Sequence, residues 1–266
     1  MYDKVAMQPV SEFPVAALAR IRVLAADVDD TITRGGKIRA PTVQWLVDLA
    51  GAGVTVAIVT GRPAGWAQAL AGYLPGVRVA VAENGLVAFT EDGSRIDLGP
   101  ERGSEFQARL ATNAAKVRDA YGLSVTPDDT FRLFERAFVR PASFDVGALA
   151  AGGRLVDPDF EVVASSIHIH VRPAGWEKAD GLLAALQSID PQACAAPDDF
   201  ILFVGDSSND RSLFRKLRRT SIGVKNVAAF IDELGADQPA YVTKAEAAEG
   251  FAEIARALLA ARSTGS

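Results

Sequence analysis

Short apolar runs recur along this chain, and several stop at a residue able to do chemistry. Residues 22–26 end at Asp27, residues 54–59 at Thr60-Gly61-Arg62, and residues 200–204 at Gly205-Asp206. Continuous apolar runs of this length suit strands buried on both faces of a parallel sheet. Between the first two lies segment 41–51. Pro41 sits at its start, Gly51 and Gly53 at its stop, and Val43, Leu46, Val47 and Ala50 fall on one helical face. Residues 63–73 read as the next helix and 77–81 as a third strand. Repeated strand–helix–strand predicts an α/β fold with a doubly wound, Rossmann-like, mostly parallel sheet.

The pattern changes near residue 85. Residues 86–90 and 95–98, joined by Glu91-Asp92-Gly93-Ser94, read as a hairpin. A helix over 105–121, a strand over 131–140, a short helix over 145–151 and strands at 161–164 and 167–171 follow. That mixture predicts an α+β insert with its own sheet. After Lys178 the first pattern returns. Strands are expected at 200–204, 221–224 and 241–243, with helices at 209–218, 227–234 and 247–262. The expected organisation is a core of residues 1–84 and 178–266, interrupted by an α+β cap at 85–177.

Composition narrows the function classes. The 266 residues are 49% hydrophobic and 23% charged, too apolar for a disordered chain. Acids outnumber bases, 33 to 28, for a net charge of −5, which disfavours bulk nucleic-acid binding. Cys194 is the only cysteine, so no intrachain disulfide forms. No apolar run reaches the ~18 residues of a membrane span. Asp3, Lys4, Pro9, Glu12 and Pro14 break up the first 20 residues, unlike a signal peptide. The expectation is a cytoplasmic protein, monomer or homodimer, away from membranes, whose partner is a small phosphorylated metabolite.

That last expectation comes from four groups at or beside core strand ends: Asp27-Val28-Asp29-Asp30-Thr31, Thr60-Gly61-Arg62, Lys178, and Gly205-Asp206-Ser207-Ser208-Asn209-Asp210. In open α/β sheets, ligands bind outside the carboxyl ends of strands. Two carboxylates ~4 Å apart repel by about 4 kcal/mol at an effective dielectric near 20. A cluster of Asp27, Asp29, Asp206 and Asp210 therefore needs a compensating cation. Mg²⁺, with its preference for oxygen ligands and substrate phosphate, fits best. Lys178, the Thr60 hydroxyl and a helix start after Arg62 add anion-binding groups. Together they describe a phosphoryl-transfer site.

These residues resemble the haloacid dehalogenase superfamily of phosphatases, in the Cof-like branch whose large cap lies between the second and third motifs. Asp27, Asp29 and Thr31 match its Asp-x-Asp-x-Thr motif, and Thr60 in Val59-Thr60-Gly61-Arg62-Pro63 its second motif. Lys178-Ala179-Asp180-Gly181-Leu182 matches its lysine motif, and Gly205 to Asp210 its Gly-Asp-x-x-Asn-Asp motif. Glu83-Asn84-Gly85, Ala240-Tyr241-Val242-Thr243 and Glu249-Gly250 are softer matches. The chain departs at Asp30, where the branch usually has glycine.

The resemblance implies a Mg²⁺-dependent hydrolase of a small phosphate monoester, a sugar phosphate first. Asp27 would be the nucleophile and Asp29 the acid and base. Thr60 and Lys178 would stabilise the transferring phosphoryl group. Asp27 and Asp206 would hold the metal, with the Asp29 backbone carbonyl, and Asp210 would stand behind them or hold Lys178. Thr31, Gly61, Arg62 and Asn209 are candidate substrate contacts, with Arg62 equally a surface ion pair and Asn209 a helix cap. Glu83-Asn84-Gly85 reads as a hinge turn. In the cap, strand alternation puts His168, His170 and Arg172 on one face. That face either covers the substrate or is an exposed polar surface. Trp45, Trp66 and Trp176 read as packing residues. The alternatives are a phosphomutase on the same scaffold and, from another class, a non-catalytic phospho-receiver or ligand-binding protein.

Overall fold

The computed structural model describes residues 7–144, 155–165 and 167–263. Its main sheet contains β1 (Gln8–Pro9), β2 (Val23–Ala26), β3 (Thr55–Val59), β4 (Val77–Ala82), β5 (Val87–Thr90), β6 (Arg95–Asp97), β10 (Ile201–Gly205), β11 (Ser221–Gly223) and β12 (Tyr241–Val242). Their order is β1-β12-β11-β10-β2-β3-β4-β5-β6. The chain runs outward from β2 through β3 and β4, then returns to the other side of β2 as β10. The carboxyl ends of β2 and β10 therefore flank a topological switch point, where crevices form in such sheets.

The expected α/β core is borne out, and side-chain alternation shows why it is doubly wound. Leu24, Ala26, Val56 and Ile58 face one buried layer with helices Ala40–Gly51, Ala64–Tyr73 and Ala247–Ser263. Val23, Ala25, Ala57 and Val59 face the other, with helices Lys178–Leu186 and Arg211–Lys216. Both faces of each central strand are covered, so the strands read as unbroken apolar runs. No helix of the described residues is long and apolar enough to cross a membrane.

A second, three-stranded antiparallel sheet has the order β7 (Arg136–Val139), β9 (His168–Pro173), β8 (Phe160–Ala164). Helix Ser104–Tyr121 packs on one of its faces through Leu110, Ala114 and Val117 against Phe138, Ile169 and Val171. The alternate residues of β9, including His168 and His170, turn to the opposite face, toward the core.

Several expectations need correction. The hairpin assigned to the cap belongs to the main sheet: β5 pairs antiparallel with β4 and β6 with β5. It covers what would otherwise be a bare edge of β4. The strand expected over 131–140 shrinks to β7, preceded by a 3₁₀ turn at Asp129–Phe131. The N–H groups of Leu133, Phe134 and Glu135 are bound instead to the Glu83 carboxylate. The helix expected over 209–218 is a 3₁₀ turn, Ser208–Asp210, leading into Arg211–Lys216. Trp66 is 42% exposed, while Trp45 and Trp176 pack against the core. The short helix expected at 145–151 lies outside the described residues.

Two glycines set the lysine-bearing helix against the turn after β4. A Cβ on Gly181 would sit 2.4 Å from the Gly85 Cα, and Gly85 has φ +108 with a would-be Cβ 2.4 Å from the Glu177 carbonyl oxygen. Only bare backbone lets Lys178–Leu186 approach this closely. Gly181→Ala should therefore lose roughly 2 kcal/mol, a fall in Tm of about 4–8 °C. Gly72→Ala, with open space at the Cβ in helix Ala64–Tyr73, should instead raise Tm slightly. Thermal melts of both variants check this contrast.

Candidate active site

The site begins where β2 stops. The Asp27 N–H still donates to Val204 O (2.9 Å), holding the residue in register beside β10. The chain then leaves the sheet through an irregular turn, Val28–Ile32. Asp30 takes φ +54 there, and the Thr33 hydroxyl ties the turn by accepting from Asp30 N (3.1 Å) and donating to Val28 O (3.0 Å). This left-handed position is one that glycine adopts freely and that aspartate tolerates.

Lys178 opens its helix with its ammonium buried between two carboxylates, 2.8 Å from Asp27 Oδ1 and 2.7 Å from Asp210 Oδ1. The other Asp210 oxygen accepts from Asp206 N (3.0 Å) and Ser207 N (3.4 Å). Asp210 is thus committed on both sides. A Cβ on Gly205 would fall 2.3 Å from Asp210 Oδ2, so glycine is required before Asp206. Asn226 Nδ2 donates to Asp206 Oδ2 (3.2 Å) and to the Asp30 carbonyl (3.0 Å). Sequence reasoning missed Asn226. Its signal was the same as the others, a polar residue just past a core strand.

Asp27, Asp206 and Asp210 offer buried carboxylate oxygens within 4.8 Å of one another. One ammonium does not balance three buried acids. Burial pushes the Asp27 pKa up to about 8; Lys178 pulls it back, and Asp210 and Asp29 push it further. Burial, then Asp27 and Asp210, raise Asp206 well above the usual carboxylate range. Burial works against the Lys178 charge, but Asp210 and Asp27 override it and hold the lysine above its ordinary value. A cluster of hard oxygen donors with this electrostatic deficit fits a divalent cation such as Mg²⁺.

The second motif sits one strand over. Thr60 is buried, and its hydroxyl accepts from Arg62 N (3.0 Å) rather than capping helix Ala64–Tyr73. Arg62 grips Asp29 with two 2.7 Å bonds, from Nε to Oδ2 and from Nη2 to Oδ1. Its Nη1 reaches Asp128 of the cap at 3.3 Å, and its guanidinium lies 5.0 Å from the Trp66 ring. Arg62 is therefore a half-buried bridge between core and cap, and Trp66 is its platform. The Asp29 carboxylate is not part of the Asp27, Asp206 and Asp210 cluster.

The turn after β4 joins the two units more deeply than a hinge turn suggests. Glu83 is buried. Its carboxylate accepts N–H groups from Ala64 of the core (3.0 Å) and from Leu133, Phe134 and Glu135 of the cap (2.8, 2.7 and 3.2 Å). Asn84 Nδ2 donates to Glu135 Oε2 (3.1 Å). Glu135 also binds Arg132 and, at 2.9 Å, His170 Nδ1. Burial opposes its ionisation, but His170 and Arg132 overcome it and hold Glu135 at about 2. Arg132 in turn donates to Gly61 O (2.9 Å).

The cleft between core and cap is walled by Asp27, Asp29, Gly61, His168, His170 and Asn209, among others. Asn209 accepts from the Ser207 hydroxyl (2.7 Å), and Ser207, not Asn209, caps the following turn. The His168–His170 face is buried, which overturns the reading of it as an exposed polar surface. Two expected contacts stand back among the described residues: Thr31 is fully buried, and Arg172 pairs with Glu161 (2.9 Å) and donates to Asn84 O (3.4 Å). Free space in the cleft is only about 10 Å³. A larger cavity of about 770 Å³, near Phe13 and Tyr241 at the β1–β12 edge, holds no residue of the four main motifs.

Comparison with known proteins agrees with this geometry. No family model matches the chain. A phosphoglycolate phosphatase of Halorubrum lacusprofundi is 30% identical over 206 residues, covering 72% of this chain and 79% of the relative. One from Methanothermobacter thermautotrophicus is 28% identical over 237 residues, covering 89% and 98%. A HAD/COF-like hydrolase structure from Plasmodium vivax superposes with a TM-score of 0.71 at 18% identity, covering 95% of this chain and 100% of that one. The chain belongs to the haloacid dehalogenase superfamily. It has the Cof-like fold of that superfamily and is a phosphoric monoester hydrolase.

The Glu83 joint in this haloacid dehalogenase fold makes a pH prediction. Burial, with Glu135 adding repulsion, raises the Glu83 pKa to about 7 from 4.5. The folded protein then binds this proton more tightly than the unfolded chain. Its contribution is complete below about 4.5 and is lost as pH rises through about 7. Glu83→Gln removes the titration. The stability advantage of wild type over this variant should shrink, on the order of 2–3 kcal/mol, between pH 5 and pH 8. Urea melts at both pH values read the difference; a constant or widening gap contradicts it.

Proposed function

We propose that this phosphatase is Mg²⁺-dependent and hydrolyses a small phosphate monoester through an aspartyl-phosphate on Asp27. The carrying observation is the buried cluster of Asp27, Lys178, Asp206 and Asp210 at the switch point. Asp27 and Asp206 would hold the cation, with the Asp29 carbonyl, since both oxygens of Asp210 are already used. When bound, Mg²⁺ supplies positive charge for the phosphoryl oxygens.

The residues of the chain would do the rest. Asp27 attacks phosphorus, forming an O–P bond as the bond to the leaving oxygen breaks. Asp29, in the cleft wall, gives that oxygen its proton and then takes one from the water that attacks the aspartyl-phosphate, which requires Arg62 to release one of its two oxygens. Lys178 keeps Asp27 in place and, with Thr60, offsets charge on the transferring group. A cleft with about 10 Å³ free has to open to admit even a small ester, so movement of the cap precedes chemistry. The named activity of the relatives puts phosphoglycolate on the list of substrates beside the sugar phosphates expected from the sequence.

A phosphate-release screen over phosphorylated metabolites with Mg²⁺ tests this reading. Asp27→Asn should lower turnover by at least about 1000-fold, and chelation should silence the wild type until Mg²⁺ is restored. Full activity without a divalent cation would contradict it, and transfer of phosphate between positions of one substrate without release would favour the mutase.

A further inference from the structure

Resting on the phosphatase reading, we propose that His170 determines specificity by offering an imidazole lone pair to the leaving group, selecting monoesters that carry a free hydroxyl near the phosphate, such as polyol or sugar phosphates. His170 lies in the middle of β9 and walls the cleft that holds Asp27 and Asp29. Its Nδ1 is 2.9 Å from Glu135 Oε1. A carboxylate only accepts, so Nδ1 carries the hydrogen. The other ring nitrogen, Nε2, is buried and has no hydrogen-bond partner among the described residues. Burial lowers the His170 pKa, Arg132 and Arg172 add to this, and Glu135 only partly opposes it. With the ring neutral and Nδ1 carrying the hydrogen, Nε2 is an acceptor awaiting a donor.

The surrounding charges favour a hydroxyl over a second anionic group. Each nearby arginine is already paired with a carboxylate: Arg62 with Asp29 and Asp128, Arg132 with Glu135, and Arg172 with Glu161. A substrate carboxylate would meet the lone pair of Nε2 and the carboxylates of Asp27 and Asp29 in the cleft wall. A hydroxyl donates to Nε2 and leaves the pairs intact. Sites built around a buried polar group discriminate strongly against analogues that leave it unpaired.

The test compares sn-glycerol 3-phosphate, n-propyl phosphate, phosphoglycolate and p-nitrophenyl phosphate on wild type and His170→Phe with Mg²⁺. The wild type should show kcat/KM for glycerol 3-phosphate at least about tenfold above n-propyl phosphate, carried by KM. In His170→Phe that ratio should fall below about twofold. Nitrogen-15 NMR of histidine-labelled wild type should show a neutral Nδ1–H tautomer for His170 at pH 7.5, a readout that does not depend on the variant folding. No wild-type preference, an unchanged ratio in the variant, a tenfold preference for phosphoglycolate, or an imidazolium or Nε2–H ring each overturns the proposal. Turnover of p-nitrophenyl phosphate with any of those results leaves the phosphatase reading standing. Turnover of none of the four esters sinks both.

Discussion

A single ammonium group organises this molecule. Lys178 reaches from the first turn of its helix to Asp27 at the end of β2 and to Asp210 beyond β10. Those three residues come from segments more than thirty positions apart in sequence, as the separations of 151 and 32 show. Burying such ions costs several kcal/mol each, and their mutual attraction repays it only with near-ideal geometry. That requirement explains the bare backbone at Gly85, Gly181 and Gly205: each lets one of the partners approach closer than a side chain would permit. The arrangement remains short of positive charge, and a site of hard oxygen donors short of positive charge suits a cation.

The joint between core and cap repeats the same physics with another carboxylate. Glu83 takes its four N–H donors from both units, so the position of the cap is written into the hydrogen bonds of a core residue. Arg62 adds a second tie by holding Asp29 on one side and Asp128 on the other. Displacement of the cap at Asp128 would alter the contacts of the guanidinium that orients Asp29. The residue proposed for proton transfer is in this way tied to the contact between core and cap.

Much of this was legible in the sequence because burial on both faces leaves an unmistakable trace. The apolar runs ending at Asp27, Thr60 and Gly205-Asp206 gave the strands and the grouping of the motif residues. What stayed hidden depended on long-range pairing. Residues 131–140 carry strand-like composition, yet three of their N–H groups serve Glu83, a contact no local pattern announces. The hairpin at β5–β6 has the same local signature whether it extends the main sheet or starts a new one. Arg62 reads equally as a substrate contact or a surface ion pair, and Trp66 as a packing residue; their partnership appears only once the cap brings Asp128 alongside. Asn226 and Glu135 act by orienting other side chains, and such roles follow from contacts rather than from residue type.

The account stands or falls on the acidic pocket being a cation site. Titration of the full-length protein with Mn²⁺, followed by electron paramagnetic resonance, measures this without reference to turnover. One tightly bound ion per chain, lost in Asp206→Asn, is the result expected from the clustered carboxylates of Asp27, Asp206 and Asp210. No bound ion in the wild type, or equal binding in Asp206→Asn, would contradict it.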